Sequence, residues 1–209
     1  MGVISKELRI GVLGSGNGSN CEAILQACER GQIPGRVVVV VSDFADALIL
    51  ERARKRGIPT HFVGPSRFKT KLEPEFEQQI VDILRKTGVE LVALAGYMRV
   101  VKTPLLSAFA GKMLNVHPSL LPAFPGLHAW EQALTYGVRV TGCTVHFVNE
   151  GVDAGPVILQ QAVPVQPGDT PATLHQRIQV AEHALLPEAI RLFALGKLQV
   201  TGRHVKILE

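Results

Sequence analysis

Apolar and polar positions in the first half of the chain fall into short runs of two kinds. Residues 8–13 (Leu-Arg-Ile-Gly-Val-Leu) read as a strand that runs into a Gly/Ser/Asn loop at 14–20. Residues 21–29 then carry Ala23, Ile24, Ala27 and Cys28 on one helical stripe. Residues 37–41 are five valines in a row, the pattern of a strand covered on both faces in a parallel sheet. A helix is expected over 45–56, stopped by Gly57, and a short strand over 59–63. A second amphipathic helix is expected over 71–86, with Phe76, Ile80, Ile83 and Leu84 inward and Gly88 as its stop. Another buried strand follows at 91–95. This order of elements predicts βαβ units.

The second half is less regular. Residues 113–117 read as a strand, and the proline-rich stretch 118–126 excludes helix or central strand. A helix is expected over 130–135. Residues 140–148 alternate, with Val140, Gly142, Thr144, His146 and Val148 on one face, and 157–165 follow as a hairpin or edge partner. A long helix over 172–195, bent at Pro187 and ended by Gly196, precedes a short basic tail. The fold class is therefore α/β: an open, mostly parallel sheet with helices on both faces and an antiparallel edge in the C-terminal half.

Composition narrows the class. The 209 residues favour one large domain, 46% hydrophobic and 19% charged content excludes a largely disordered chain, and 5% aromatics require an aliphatic core. Twenty-two basic against 18 acidic residues give a net charge of +4, a mild bias toward small anions and far from a nucleic-acid footprint. The densest basic cluster, Arg52, Arg54, Lys55 and Arg56, starts at helical spacing with Glu51 and reads as a solvated helix face. Cys21, Cys28 and Cys143 form no even framework and no C-x-x-C pair, which fits a reducing compartment and disfavours structural zinc. The N-terminal residues show no secretory pattern, and Lys6 stands where a myristoylation motif needs Ser or Thr. No apolar run approaches membrane-spanning length. A cytoplasmic protein with neither membrane nor nucleic-acid partner is expected.

Three motifs carry chemistry. Gly14-Ser-Gly-Asn-Gly-Ser-Asn20 lies between a strand and a helix, where exposed N–H groups and the helix dipole suit a phosphate. It lacks the third glycine of a dinucleotide fingerprint and the lysine of a Walker loop, which favours a monophosphate held by Gly18, Ser19 and Asn20. Asp43 keeps a ribose-binding acid, and hence a nucleotide- or NAD-binding protein, open as an alternative. The bland reading is a loop that turns the chain, with Asn20 capping the helix. Cys21, at the helix start, is placed for a lowered pKa but has no base beside it in sequence.

The second motif, Asn115-Val-His-Pro-Ser-Leu-Leu-Pro122, puts Asn115 and His117 on one face at a strand's carboxyl end. An amide donor beside an imidazole suits an oxyanion and a proton transfer. The third, Asn149-Glu-Gly-Val-Asp-Ala-Gly-Pro156, holds Asp153 in a Gly-bounded loop. Asp153 is either a turn residue bonded to its own backbone or a carboxylate that orients His117 and favours its protonated form. His128 is a loop residue within reach of a ligand, and His146 reads equally as a satisfied core histidine. No zinc-binding H-E-x-x-H and no G-x-S-x-G elbow occurs.

The strings S-G-N-G-S-N, A-G-Y-M-R, N-V-H-P-S-L-L-P-A-F-P-G-L-H and T-V-H-F-V…D-A-G-P-V-I, in this order, resemble the phosphoribosylglycinamide formyltransferase family over 10–196. The resemblance implies a Rossmann-like formyltransferase fold. It also implies transfer of a formyl group from 10-formyltetrahydrofolate, a co-substrate, to glycinamide ribonucleotide, without metal. By its pattern Asn115, His117 and Asp153 are catalytic, and Gly18, Ser19 and Asn20 hold the ribonucleotide phosphate. Glu182 contacts the glycinamide end. Met98, Arg99, Val100 and Val101 line the folate pocket with Asn115, and Lys71 is a basic ligand contact. The family often carries a second His two residues after His128, and here that place is Trp130, which therefore receives no role. One domain over 1–209 is expected, with 1–100 the phosphate-binding half and 101–209 the catalytic and folate-binding half, as a monomer or homodimer. The alternative within the resemblance is a formyltetrahydrofolate hydrolase. With few residues before the first strand and after the last helix, neither that enzyme's regulatory domain nor an RNA-binding domain is expected.

Overall fold

The computed structural model describes residues 7–209. The N-terminal reading that rested on Lys6 lies outside the described residues. Strands β1 (Leu8–Leu13), β2 (Gly35–Ser42), β3 (Thr60–Phe62), β4 (Leu91–Leu94), β5 (Met113–His117), β6 (Val140–Phe147) and β7 (Val157–Pro164) form one sheet in the order β3-β2-β1-β4-β5-β6-β7. The first five run parallel, and β6 and β7 are antiparallel to their neighbours. The expected fold class is the one observed.

The parallel strands are apolar on both faces because each face has its own core. On β4, Leu91 and Ala93 pack into a cluster with α1 (Ser19–Glu29), α2 (Leu48–Arg54) and α6 (Pro171–Ala194). Val92 and Leu94 pack the other way, against α3 (Pro74–Lys86) and α4 (Thr103–Ala108). A smaller cluster joins Cys143 and Val163 of the antiparallel edge to Leu174, Ile178 and Ala181 of α6. On β5 the same alternation sends Leu114 and Val116 into the α1/α6 core and turns Asn115 and His117 to the opposite face.

Three expectations are corrected. The helix expected from residue 71 begins at Pro74, because proline suits a first helical position, so Lys71 lies in the preceding loop. The helix expected over 45–56 is the shorter α2, and α4 was not anticipated at all. The basic tail is a hairpin, β8 (Leu198–Thr201) with β9 (His204–Ile207), turning at Gly202. No described helix is long and apolar enough to cross a membrane.

Candidate active site

The strand order reverses between β1 and β4, and the loops after these two strands diverge there to open a crevice at their carboxyl ends. The loops are stitched together: the Ser15 amide donates to the Gly96 carbonyl at 3.0 Å. The loop after β1 enters α1 at Gly18, whose φ of 79° is left-handed and whose Cβ, if added, would lie 2.7 Å from Cβ of Ile49. Only glycine meets both demands. No side chain caps α1. Asn20, expected as a possible cap, is buried and instead donates from Nδ2 to Glu182 Oε2 at 2.9 Å. The uncapped amides of the first turn are thus left for an anion.

Helix α2 holds this loop from below. Ile49 N donates to Gly16 O at 3.1 Å, and Arg52 donates twice to Asn17, to its carbonyl and its Oδ1, at 2.8 Å each. Arg56 pairs with Glu22 and Glu29 of α1. The basic cluster is therefore only partly a solvated face: Arg52 and Arg56 fasten α1 and its entry loop. Cys21, beneath the loop, is fully buried and its thiol is pushed up to about 12 by burial, the opposite of an activated thiolate.

On the other side of the crevice, β5 presents Asn115 and His117, and the loop between β6 and β7 brings Asp153 to them. Asp153 Oδ2 lies 3.3 Å from His117 Nδ1 and accepts from the Gly126 amide at 2.8 Å. His117 Nε2 meets the Phe124 carbonyl at 2.9 Å. Both ring nitrogens face acceptors, an arrangement that an imidazolium satisfies fully. Asp153 sits at φ 50°, and Phe124 and His128 are also left-handed, so the backbone is strained where it reaches this ring. Gly155 allows the tight return: a Cβ there would lie 1.7 Å from Phe147 O.

His146 belongs to this cluster, which its position on an alternating strand did not reveal. It pairs across the strands with Asn115. Its Nδ1 bonds the Phe147 carbonyl at 2.9 Å, so that nitrogen carries the proton, and Nε2 accepts from Asn115 Nδ2 at 3.2 Å. Burial lowers its pKa, which keeps the ring in this neutral form. The signal for it was the cross-strand register, available only once β5 and β6 were paired.

These groups line a pocket of about 230 Å³ together with Met98, Arg99, Val100, Val101, Leu127 and Trp130. The Met98 amide is held by Ser15 Oγ at 2.9 Å and the Val100 amide by Thr70 O at 2.7 Å. Lys71 stands outside the wall, its ammonium 4.5 Å over the Phe68 ring, although its neighbour Thr70 lines the pocket. His128 reaches the wall but is largely exposed and pairs with Glu131 at 3.3 Å. Trp130 stacks on His175 with ring centres 3.7 Å apart. A larger groove of about 680 Å³ runs along α1 and α6 from Ser19 and Arg52, and contains none of Asn115, His117 or Asp153.

Glu182 is 4% exposed, on α6 beside Asn20. Burial pushes its carboxyl up to about 7, against the lowering by Asn20. Asp43, the alternative ribose acid, is committed elsewhere: its carboxylate pairs with Arg99 Nε at 2.5 Å and accepts from Ser15 Oγ at 2.6 Å. That removes the sequence argument for a dinucleotide.

The formyl transferase family model matches residues 8–190. The chain is 44% identical over 193 residues to the phosphoribosylglycinamide formyltransferase of Escherichia coli, covering 92% of this chain and 90% of that protein. It is 45% identical over 202 residues to the human trifunctional purine biosynthetic protein adenosine-3, covering 97% of this chain but only 20% of that longer protein. A crystal structure of glycinamide ribonucleotide transformylase 1 from Symbiobacterium toebii superposes with a TM-score of 0.93 at 55% identity, covering 97% of this chain and 95% of that one.

Proposed function

The chain belongs to the formyl transferase family, and we propose that it transfers a formyl group from 10-formyltetrahydrofolate to the amine of glycinamide ribonucleotide. The observation that carries this reading is the meeting of Asn115, His117 and Asp153, from two separate segments, in the pocket beside residues 98–101. The relatives' names support the formyl group and the ribonucleotide acceptor, and the family resemblance implies the folate donor.

In this reading the ribonucleotide phosphate sits on the uncapped start of α1 at Gly18, Ser19 and Asn20, and Glu182 faces the glycinamide end. The folate ring lies against 98–101. Because the Met98 and Val100 amides are spent inside the protein, the carbonyls and the Arg99 and Val101 amides are what this segment offers the ring. Lys71, outside the pocket wall but next to Thr70, which lines it, meets the anionic tail of the folate.

The amine attacks the formyl carbon and an oxyanion develops on the tetrahedral intermediate. The Asn115 amide and protonated His117 stabilise it, each well-placed donor contributing roughly 3 kcal/mol. Asp153 holds His117 and takes part in moving the proton from the attacking amine to the leaving nitrogen. His117 engages the oxyanion through Nε2 only when its bond to the Phe124 carbonyl is given up. Both substrates are small molecules, and the reaction is placed in the cytoplasm.

The test is product analysis. Purified protein incubated with formylated folate and glycinamide ribonucleotide should yield the ribonucleotide bearing one formyl group, detected by mass spectrometry. An unmodified ribonucleotide after complete loss of folate-bound formyl contradicts the proposal and points to hydrolysis.

A further inference from the structure

The Asp43 carboxylate, which the reaction itself does not use, lies at the junction of three loops. Its side chain is fully buried, and that of Arg99 is 7% exposed. One oxygen accepts from Ser15 in the loop after β1, and the other pairs with Arg99 in the loop after β4. The Ser15 hydroxyl, having donated to Asp43, accepts from the Met98 amide. Arg99 donates onward to the Phe68 carbonyl in the loop after β3, and its guanidinium lies 5.5 Å over the Phe44 ring. Every hydrogen-bonding group in the chain Met98–Ser15–Asp43–Arg99 is thus directed by its neighbour. The geometry is unusual in purpose: a buried carboxylate joins the segment that enters the proposed phosphate site to the segment that lines the proposed folate site.

We propose that Asp43, with Ser15 and Arg99, is a positioning clamp that couples the two substrate sites, so that occupancy of one orders the backbone of the other. The proposal rests on the formyl-transfer reading for the identity of the two ligands. Its physical basis is that, beyond the hold of α2 on 16–17 and of Thr70 on Val100, the two loops are fastened directly to each other through Ser15 and Asp43. Binding of phosphate at 18–20 restrains Ser15, which restrains the Met98 amide, and Asp43 holds Arg99 and with it the remainder of 98–101. A ligand on either side therefore meets a loop whose ordering cost has already been met by the first ligand. Linkage requires the effect to be reciprocal.

The experiment measures the Kd of a deazafolate analogue lacking the formyl group, with and without saturating glycinamide ribonucleotide, by calorimetry. The wild-type protein should bind the analogue about 5-fold or more tightly when the ribonucleotide is present. Ser15→Ala leaves the ion pair in place but cuts the link to Met98, and should bring that ratio below about 2-fold while each ligand alone still binds. Ser15→Thr retains the hydroxyl and should restore the ratio. Asp43→Asn, the third variant, keeps an oxygen for Ser15 but removes the charge facing Arg99, and should lower the ratio and weaken the analogue alone. A wild-type ratio of one, or a Ser15→Ala ratio equal to that of the wild type, overturns the clamp while leaving formyl transfer standing. Failure of the wild type to bind either probe overturns the formyl-transfer reading and the clamp with it.

Discussion

His117 has no idle ring nitrogen: Nδ1 faces Asp153 and Nε2 faces the Phe124 carbonyl. Its usefulness in an acyl transfer then depends on the carboxylate that holds it. Replacing Asp153 by Asn keeps an oxygen for the Gly126 amide but removes the charge facing the ring. Turnover should fall roughly 10²–10⁴-fold with little change in the KM for the folate, measured by the absorbance of the released deformylated folate. A loss confined to KM would assign Asp153 to binding alone. Glu182 makes a different statement at the same scale. Its carboxyl is raised from 4.5 to about 7 by burial, so the folded state favours the protonated form. The stability it contributes is present in full below about pH 4.5 and is lost as the pH rises through 7. The shift corresponds to roughly 3 kcal/mol. Relative to Glu182→Gln, the wild type should therefore lose stability between pH 5 and pH 8, read as the difference in urea midpoints. Parallel midpoints across that range would refute it.

At the scale of elements, the entry into α1 is shaped by α2 lying against it. Ile49 leaves no room for a Cβ on Gly18, and φ there is left-handed. Gly18→Ala should cost about 2–4 kcal/mol, combining backbone strain with overpacking. It should also raise the KM for the ribonucleotide more than that for the folate. Chemical denaturation and steady-state kinetics check the two parts separately. Elements like these were legible in the sequence where one physical signal dominated. Strand β5 was read to its ends because Pro118 halts it, and the core of β2, though not its ends at Gly35 and Ser42, because its five valines suit a strand covered on both faces. The short helix α4 was not legible, since its six residues present less than two turns of periodicity. Its start is set by the buried Glu77 carboxylate of α3, which accepts from the Lys102 amide at 3.0 Å, a contact between residues 25 apart. Hairpin β8–β9 was missed because its mostly exposed residues give no clear apolar stripe. At the site, Asn115 and His117 could be paired from strand alternation alone. Asp153 could be joined to them only through the family resemblance, and His146 not at all, because its role depends on the register between β5 and β6.

Across the whole molecule, the sheet converts strand order into a crevice with a loop on each side. Reversal between β1 and β4 opens the crevice, the two cores hold the strands from both sides, and the antiparallel strands β6 and β7 deliver Asp153 through the loop between them. In the proposed reading that architecture serves a transfer between two bound molecules, with the acceptor at the start of α1 and the donor against 98–101. On the proposed reading the acceptor is indispensable. The most direct measurement is the rate of folate deformylation with and without glycinamide ribonucleotide, followed by absorbance on the same preparation. The account predicts deformylation only when the ribonucleotide is present, saturating with its concentration. An equal rate in its absence would contradict it, since water would then be the acceptor and the site a hydrolase.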